Sequence, residues 1–124
     1  MQLRLITVFL LLALVACSSQ APSPTPTLLA LESQGQIVFK SYCSNCHSTS
    51  SETVIVGPSL AGIATRGGDR IEGMDAQAYI RDSILNPNAY TVDGFPQGIM
   101  PLNMKDALSS EDLDAVVSYL LTLK

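Results

Sequence analysis

The clearest pattern of apolar positions lies near the C-terminus, where apolar residues recur at intervals of three and four. These positions share one face of a helix: Leu113, Val116, Val117, Leu120 and Leu121. Ser109 is a favoured N-cap, with Asp112 three residues later as a variant of the capping box. Leu108 and Leu113 are spaced as a hydrophobic staple. The pattern predicts a C-terminal helix that buries its apolar face in a core.

Two more helices are predicted upstream, over Leu29–Tyr42 and Asp75–Asn86. The second ends where Pro87 disfavours helical backbone at the preceding residue. A short turn is expected at 60–65. The 23 residues from Pro87 to Ser109 contain three Pro and two Gly and show no periodicity, so they are predicted to form a long loop. The expected fold class is all-α.

The N-terminal segment has the composition of an export signal. Arg4 precedes 12 uncharged, mostly apolar residues, 5–16, fewer than the roughly 20 that span a bilayer but suited to a signal peptide. The run ends in Leu14-Val15-Ala16-Cys17, which resembles a bacterial lipobox. We expect residues 1–16 to be a signal peptide and Cys17 to become a lipidated N-terminus that anchors the protein outside the cytoplasm. The alternatives are a secretory signal cut nearby or an uncleaved anchor.

Residues 17–28 are predicted to be a tether. Three prolines alternate with other residues there, which disfavours helix and sheet and favours an extended chain that reaches about 30 Å. Residues 29–124 then form the domain.

Charge and histidine content exclude several classes of function. Seven Lys and Arg against eleven Asp and Glu give a net charge of −4, which leaves no cationic excess for nucleic acid. A single histidine excludes metal sites that need two or more. Three cysteines are an odd number, and assigning Cys17 to lipid leaves two.

Those two cysteines belong to one pentapeptide, Cys43-Ser44-Asn45-Cys46-His47. This C-x-x-C-H motif is the signature of covalent c-type haem attachment: the thiols add to the haem vinyl groups, and the adjacent imidazole binds the iron. A thioredoxin-like dithiol would need a βαβ pattern, which is not visible. A zinc knuckle would need further ligands, but no Cys or His follows residue 47. A simple disulfide leaves His47 unexplained.

The second axial ligand of the iron is predicted to be Met100. Gly98 gives the backbone before it freedom to approach the haem, and Pro101 stiffens the chain beyond. Met104 is the alternative ligand, while Met74 is expected to be a packing residue.

With these motifs the chain resembles class I cytochromes c over about residues 30–124. Gly35, Phe39 and Tyr119 resemble the contact between that family's first and last helices, and Gly57-Pro58-Ser59-Leu60 resembles the segment after the haem motif. The resemblance implies three main helices and a long loop around one haem, a hydrogen bond from His47 to the Pro58 carbonyl, and Leu60 packed on the haem. It also implies an electron carrier rather than an enzyme.

Two departures from the family are evident in the sequence. No tryptophan is present to bind an inner haem propionate, and Arg66, Arg70 or Tyr90 are the candidates to replace it. The lysine ring that eukaryotic cytochrome c uses for docking is also missing.

The expected partners are redox proteins of a respiratory or photosynthetic chain, such as a quinol-oxidising complex, a terminal oxidase or a reaction centre, and not a small-molecule substrate. The stretch 79–87 resembles cytochrome domains fused to oxidase subunit II and the monohaem lipoprotein of alternative complex III. The protein is therefore expected to be either a tethered shuttle or a fixed subunit. A haem-based sensor with a labile Met100–iron bond is the alternative function.

Overall fold

The computed structural model describes residues 27–51 and 53–124 of the chain. The predicted signal peptide, Cys17 and most of the tether lie outside the described residues. Within them the regular secondary structure is entirely helical, which confirms the all-α class. The elements are α1 (Leu28–Tyr42), α2 (Ile63–Arg66), a 3₁₀ helix (Gly67–Asp69), α3 (Ala76–Leu85), α4 (Met104–Ala107) and α5 (Ser110–Leu120). No helix in this part of the chain is long and apolar enough to cross a membrane.

The three main helices form where the sequence predicts them. Helix α1 begins one residue earlier than expected, while Asp75 and Asn86 cap the two ends of α3. Asp75 accepts a hydrogen bond from the Ala78 amide at 2.7 Å. Ser109 is the N-cap of α5, and its hydroxyl accepts from the Asp112 amide at 3.1 Å. Both caps satisfy amides that would otherwise lack a partner in the first helical turn.

The prediction that residues 87–109 form a continuous loop is wrong in one part, because the single-turn helix α4 lies within them. The amides of Asp106 and Ala107 donate to the Asn103 carbonyl, each at 3.0 Å. Met104 and Leu108, four residues apart, are 7% and 9% exposed and anchor this turn in the core. One turn is too short to show helical periodicity, so the sequence pattern could not reveal it. The expected turn at 60–65 likewise continues into α2.

The core lies where α1 and α5 cross, with α3 packed beside them. These helices bury apolar residues in one cluster: Val38 and Phe39 from α1, Tyr79, Ile80 and Ile84 from α3, and Leu113, Val116, Val117 and Leu120 from α5. The predicted stripe of α5 is buried except for Leu121, which is half-buried.

Gly35 sets how closely α1 and α5 approach. A Cβ at this position would lie 1.9 Å from the Ala115 carbonyl oxygen and 2.7 Å from the Tyr119 Cβ. One turn further along, the rings of Phe39 and Tyr119 pack with centroids 5.6 Å apart. The helix contact implied by the family resemblance is therefore present, and it fixes the end of α1 that leads into the C-x-x-C-H motif.

The variant Gly35→Ala tests this crossing. Helix propensity alone favours alanine by about 1 kcal/mol, but the new Cβ would overlap the backbone of Ala115, so the helices must separate. We expect a net loss of about 2 kcal/mol in the free energy of unfolding, measured by denaturant titration. Gly68→Ala is the matched control, because its nearest neighbouring atom is 3.5 Å away. Unchanged stability in Gly35→Ala would contradict the close crossing.

Candidate functional site

The C-x-x-C-H motif follows directly from the end of α1. The Cys43 amide donates to the Phe39 carbonyl at 2.8 Å, so Cys43 continues the last turn of the helix. The amides of Cys46 and His47 then fold back onto the Cys43 carbonyl at 3.0 and 2.9 Å. This tight turn brings the two sulfur atoms and the imidazole to one wall of a cavity.

The cavity is lined mainly by apolar side chains from every part of the domain. Helix α3 contributes Ile80 and Ile84, α5 contributes Leu120, and the segment after the motif contributes Leu60. The long loop from residue 87 onward supplies another wall, which includes Phe95 and the predicted ligand Met100. The residues of this loop that line the cavity are Pro87, Asn88, Tyr90, Thr91, Val92, Phe95, Pro96, Gln97, Gly98, Ile99, Met100 and Pro101. A large apolar group can therefore be enclosed between the helices and this loop.

The Cys43 thiol does not have the lowered pKa of a reactive redox cysteine. Burial, with Cys46 beside it, raises the pKa of Cys43 to about 11, so Cys43 is a neutral thiol at neutral pH. Reactive dithiols of the thioredoxin type have a lowered pKa instead. Cys43 and Cys46 are not joined to each other by a disulfide. In the described residues, no three His, Cys, Asp or Glu side chains are grouped closely enough to hold a metal ion by themselves.

His47 is oriented by the loop that follows it. Its Nδ1 lies 2.8 Å from the Pro58 carbonyl oxygen, the hydrogen bond that the family resemblance implies. A carbonyl can only accept, so Nδ1 carries the proton and Nε2 is left with the lone pair that binds a metal. Such a hydrogen bond fixes the ring orientation and raises the basicity of a ligand imidazole.

Backbone hydrogen bonds hold this loop against the motif. The Gly57 amide donates to the Cys46 carbonyl at 2.9 Å, and the Leu60 amide donates to the Ser48 carbonyl at 2.8 Å. Gly57 itself lies directly against the imidazole, because a Cβ there would be 2.5 Å from His47 Cε1. Glycine is required at this position because the imidazole lies so close to the backbone, and not because of the backbone angle. The sequence alone did not reveal this contact.

Met100 and Met104 both line the cavity, and Met74 does not. Met100 is half-buried in the loop, whereas Met104 is buried at the start of α4. Gly98 before Met100 has φ +81°, a conformation that favours glycine. Asn88 holds this turn, since its Oδ1 accepts from the Gly98 amide at 3.0 Å. Nothing in the sequence marked Asn88 for this role, because it lies ten residues away.

The donor set and the shape of the cavity fit haem c. Two thiols, one imidazole and one or two thioethers face the same apolar space, and a c-type haem uses two thiols, an imidazole and one further axial ligand. The residues Tyr42, Val56 and Ile99 line the cavity yet are 49%, 48% and 53% exposed. Exposed apolar side chains at a cavity mouth are the residues that a bound apolar group would cover.

Comparison with known proteins identifies the family. The family model described as Cytochrome c matches residues 33–124, which is most of the chain and all of the helices after the first turn of α1. No curated protein matches the chain significantly. The match covers the C-x-x-C-H motif, His47 with its Pro58 hydrogen bond, and the loop that carries Met100. The chain therefore belongs to the class I cytochromes c and carries one covalently bound haem c.

Proposed function

We propose that His47 and Met100 are the two axial ligands of the haem iron in a membrane-tethered electron carrier. The observation that carries this proposal is that both residues line one apolar cavity, with His47 already oriented through Nδ1. Met104 is buried in the core cluster as a packing residue, whereas Met100 belongs to the loop that Asn88 and Gly98 shape. The haem supplies a one-electron couple between ferric and ferrous iron when it is bound.

The residues around the haem suit electron transfer better than catalysis. With His47 and Met100 at both axial positions, no position is open to oxygen or peroxide. Leu60, Ile80 and Leu120 exclude water from the cavity, and the methionine ligand together with burial raises the reduction potential. No histidine is left to act as a base, because the chain has only one. Such a site would keep the same two protein ligands on the iron in both oxidation states.

Electrons would pass through the exposed rim of the cavity to protein partners. Val56 and Ile99 are about half exposed at this rim and offer an apolar contact surface. The domain around them is acidic, with eleven Asp and Glu against six Lys and Arg in residues 17–124, which favours a partner with a basic face. A quinol-oxidising complex, a terminal oxidase or a reaction centre can provide such a face.

The lipidated Cys17 would hold the domain outside the cytoplasm, at the periplasmic or outer face of a bacterial membrane. About 10 residues separate Cys17 from α1, which begins at Leu28, so an extended tether allows a reach of about 30 Å. A reach of this length would let the domain move between two partner complexes as a shuttle. As a fixed subunit, the domain would remain bound to one complex. Solubilisation in mild detergent distinguishes these roles, since a subunit copurifies with its complex in constant ratio and a shuttle does not.

The variant Met100→Ala tests the axial ligand. Loss of the thioether should abolish the methionine-to-iron charge-transfer absorption band, open the iron to carbon monoxide at neutral pH, and lower the reduction potential by roughly 0.1 V or more within the ~0.8 V range that axial ligands control. Optical spectroscopy and redox titration measure these effects.

Two other methionines provide the controls for this test. Met74→Ala should leave the band intact, because Met74 packs on the core without lining the cavity. Persistence of the band in Met100→Ala, together with its loss in Met104→Leu, would assign the ligand to Met104 instead. Carbon monoxide binding by the unaltered reduced protein at neutral pH would favour the sensor function.

The variant Cys17→Ala tests the membrane anchor. The parent protein should incorporate labelled palmitate and partition into the detergent phase, and Cys17→Ala should lose the label. Ser18→Ala is the matched control and should keep it. An unlabelled parent protein that partitions into the aqueous phase would contradict lipid anchoring while leaving the haem site unaffected.

A further inference from the structure

Asn88 closes the base of the loop that leads to Met100 with two hydrogen bonds. Its side-chain Oδ1 accepts from the Gly98 amide at 3.0 Å, and its backbone carbonyl accepts from Gln97 Nε2 at 3.2 Å. We call this pair of bonds the clasp, because it joins positions nine and ten residues apart. The other hydrogen bonds that residues 89–97 make among the described residues connect positions three apart, so each of those shapes only a single turn.

The short span that contains Met100 has little else to fix it. Between the clasp and Asn103, residues 99–102 make no hydrogen bond to another described residue. Burial does not hold this span firmly either, since Ile99 and Leu102 are 53% and 59% exposed. On the C-terminal side, the Asn103 carbonyl accepts the amide hydrogen bonds at the start of α4. The position of Met100 is therefore set by α4 at one end of the span and by the clasp at the other.

The clasp is joined to the core through the end of α3. Ile84, in the last turn of that helix, is 7% exposed, and Asn86 caps the helix. The ring of Pro87 then fixes one backbone angle of the next residue in the chain. The Ala89 amide donates to the Asn86 carbonyl at 2.8 Å, which closes a turn around Pro87 and Asn88. The place of the Asn88 acceptor is thus determined by a buried helix rather than by the loop itself.

We propose that Asn88 is a positioning residue that keeps Met100 on the haem iron and so keeps the iron closed to external ligands. The inference rests on the proposed ligation by Met100 and identifies the group in the chain that maintains it. For the thioether to leave the iron, residues 99–102 must move away from the cavity, and the clasp restrains the N-terminal end of that span. A single side chain would then separate an electron carrier from a haem protein that binds small ligands.

The rate of imidazole binding to the oxidised, haem-containing protein tests this role. At saturating imidazole the rate is limited by dissociation of the methionine ligand, which stopped-flow absorption measures directly. In Asn88→Ala this limiting rate should rise roughly 2–10-fold, because the clasp loses the hydrogen bond to the Gly98 amide. The methionine-to-iron band of the resting protein should remain, since the span can still close without the clasp.

Three further variants make the result specific to the clasp. Asn88→Asp keeps an oxygen acceptor for the Gly98 amide, so its limiting rate should return towards that of the parent. Gln97→Ala removes only the longer bond, so it should raise the rate less than Asn88→Ala does. Asn103→Ala is the matched control: it removes an exposed asparagine on the other side of Met100 whose side chain makes no capping hydrogen bond. Its limiting rate should equal that of the parent.

The proposal is overturned if Asn88→Ala binds imidazole at the limiting rate of the parent, or if Asn88→Asp is as fast as Asn88→Ala. An equal rise in Asn103→Ala would also overturn it. If Asn88→Ala does not fold, Gln97→Ala supplies the result, and an unchanged rate there contradicts the clasp.

Denaturant titration of each variant separates a general loss of stability from opening of the loop, because only opening changes the limiting rate. The methionine-to-iron band of the parent reports on the proposed function separately. Its absence would refute ligation by Met100 and the role of Asn88 together. Its presence with unchanged imidazole kinetics in Asn88→Ala would refute the role of Asn88 alone.

Discussion

The structure depends on one constraint: a domain of fewer than 100 residues must enclose a large flat cofactor. The helices α1 and α5, which cross at Gly35, form the buried apolar core. Much of the remaining apolar surface of α3, α5 and the long loop faces the cavity instead. A chain of this size has little core to spare, so the haem supplies contacts that side chains would make elsewhere. Covalent attachment at Cys43 and Cys46 keeps the cofactor in place despite this thin shell.

The positions of the two proposed haem ligands, His47 and Met100, follow from how the surrounding segments are held. His47 sits between the end of α1 and the segment 56–60, where Gly57 leaves space for its ring and the Pro58 carbonyl accepts a hydrogen bond from its Nδ1. Met100 lies on a loop that Asn88 shapes through the Gly98 amide. Backbone groups and a single side chain therefore hold the segments that carry both proposed ligands.

Local patterns in the sequence predicted the parts of this fold that local chemistry determines. The stripe of α5 and its Ser109 cap depend on neighbours within one or two turns, and the C-x-x-C-H spacing is fixed by the chemistry of haem attachment. The hydrogen bond to Pro58 could be expected only from the family resemblance, because it depends on how a loop folds back. The turn of α4 was too short to show a period, and the contact of Gly57 with His47 became visible only in three dimensions. The same limit applied to the hydrogen bond from the Arg66 guanidinium to the Ser59 carbonyl, which depends on how the chain folds between these two residues.

The central claim is that His47 and Met100 close both axial positions of the iron, so that the protein transfers electrons without binding a substrate. X-ray absorption at the iron edge, recorded on the oxidised and the reduced protein, measures the ligand set most directly. The account predicts low-spin iron with one sulfur ligand beside the porphyrin and imidazole nitrogens, at nearly the same distances in both states. Five-coordinate iron, or a shell without sulfur in either state, would contradict it.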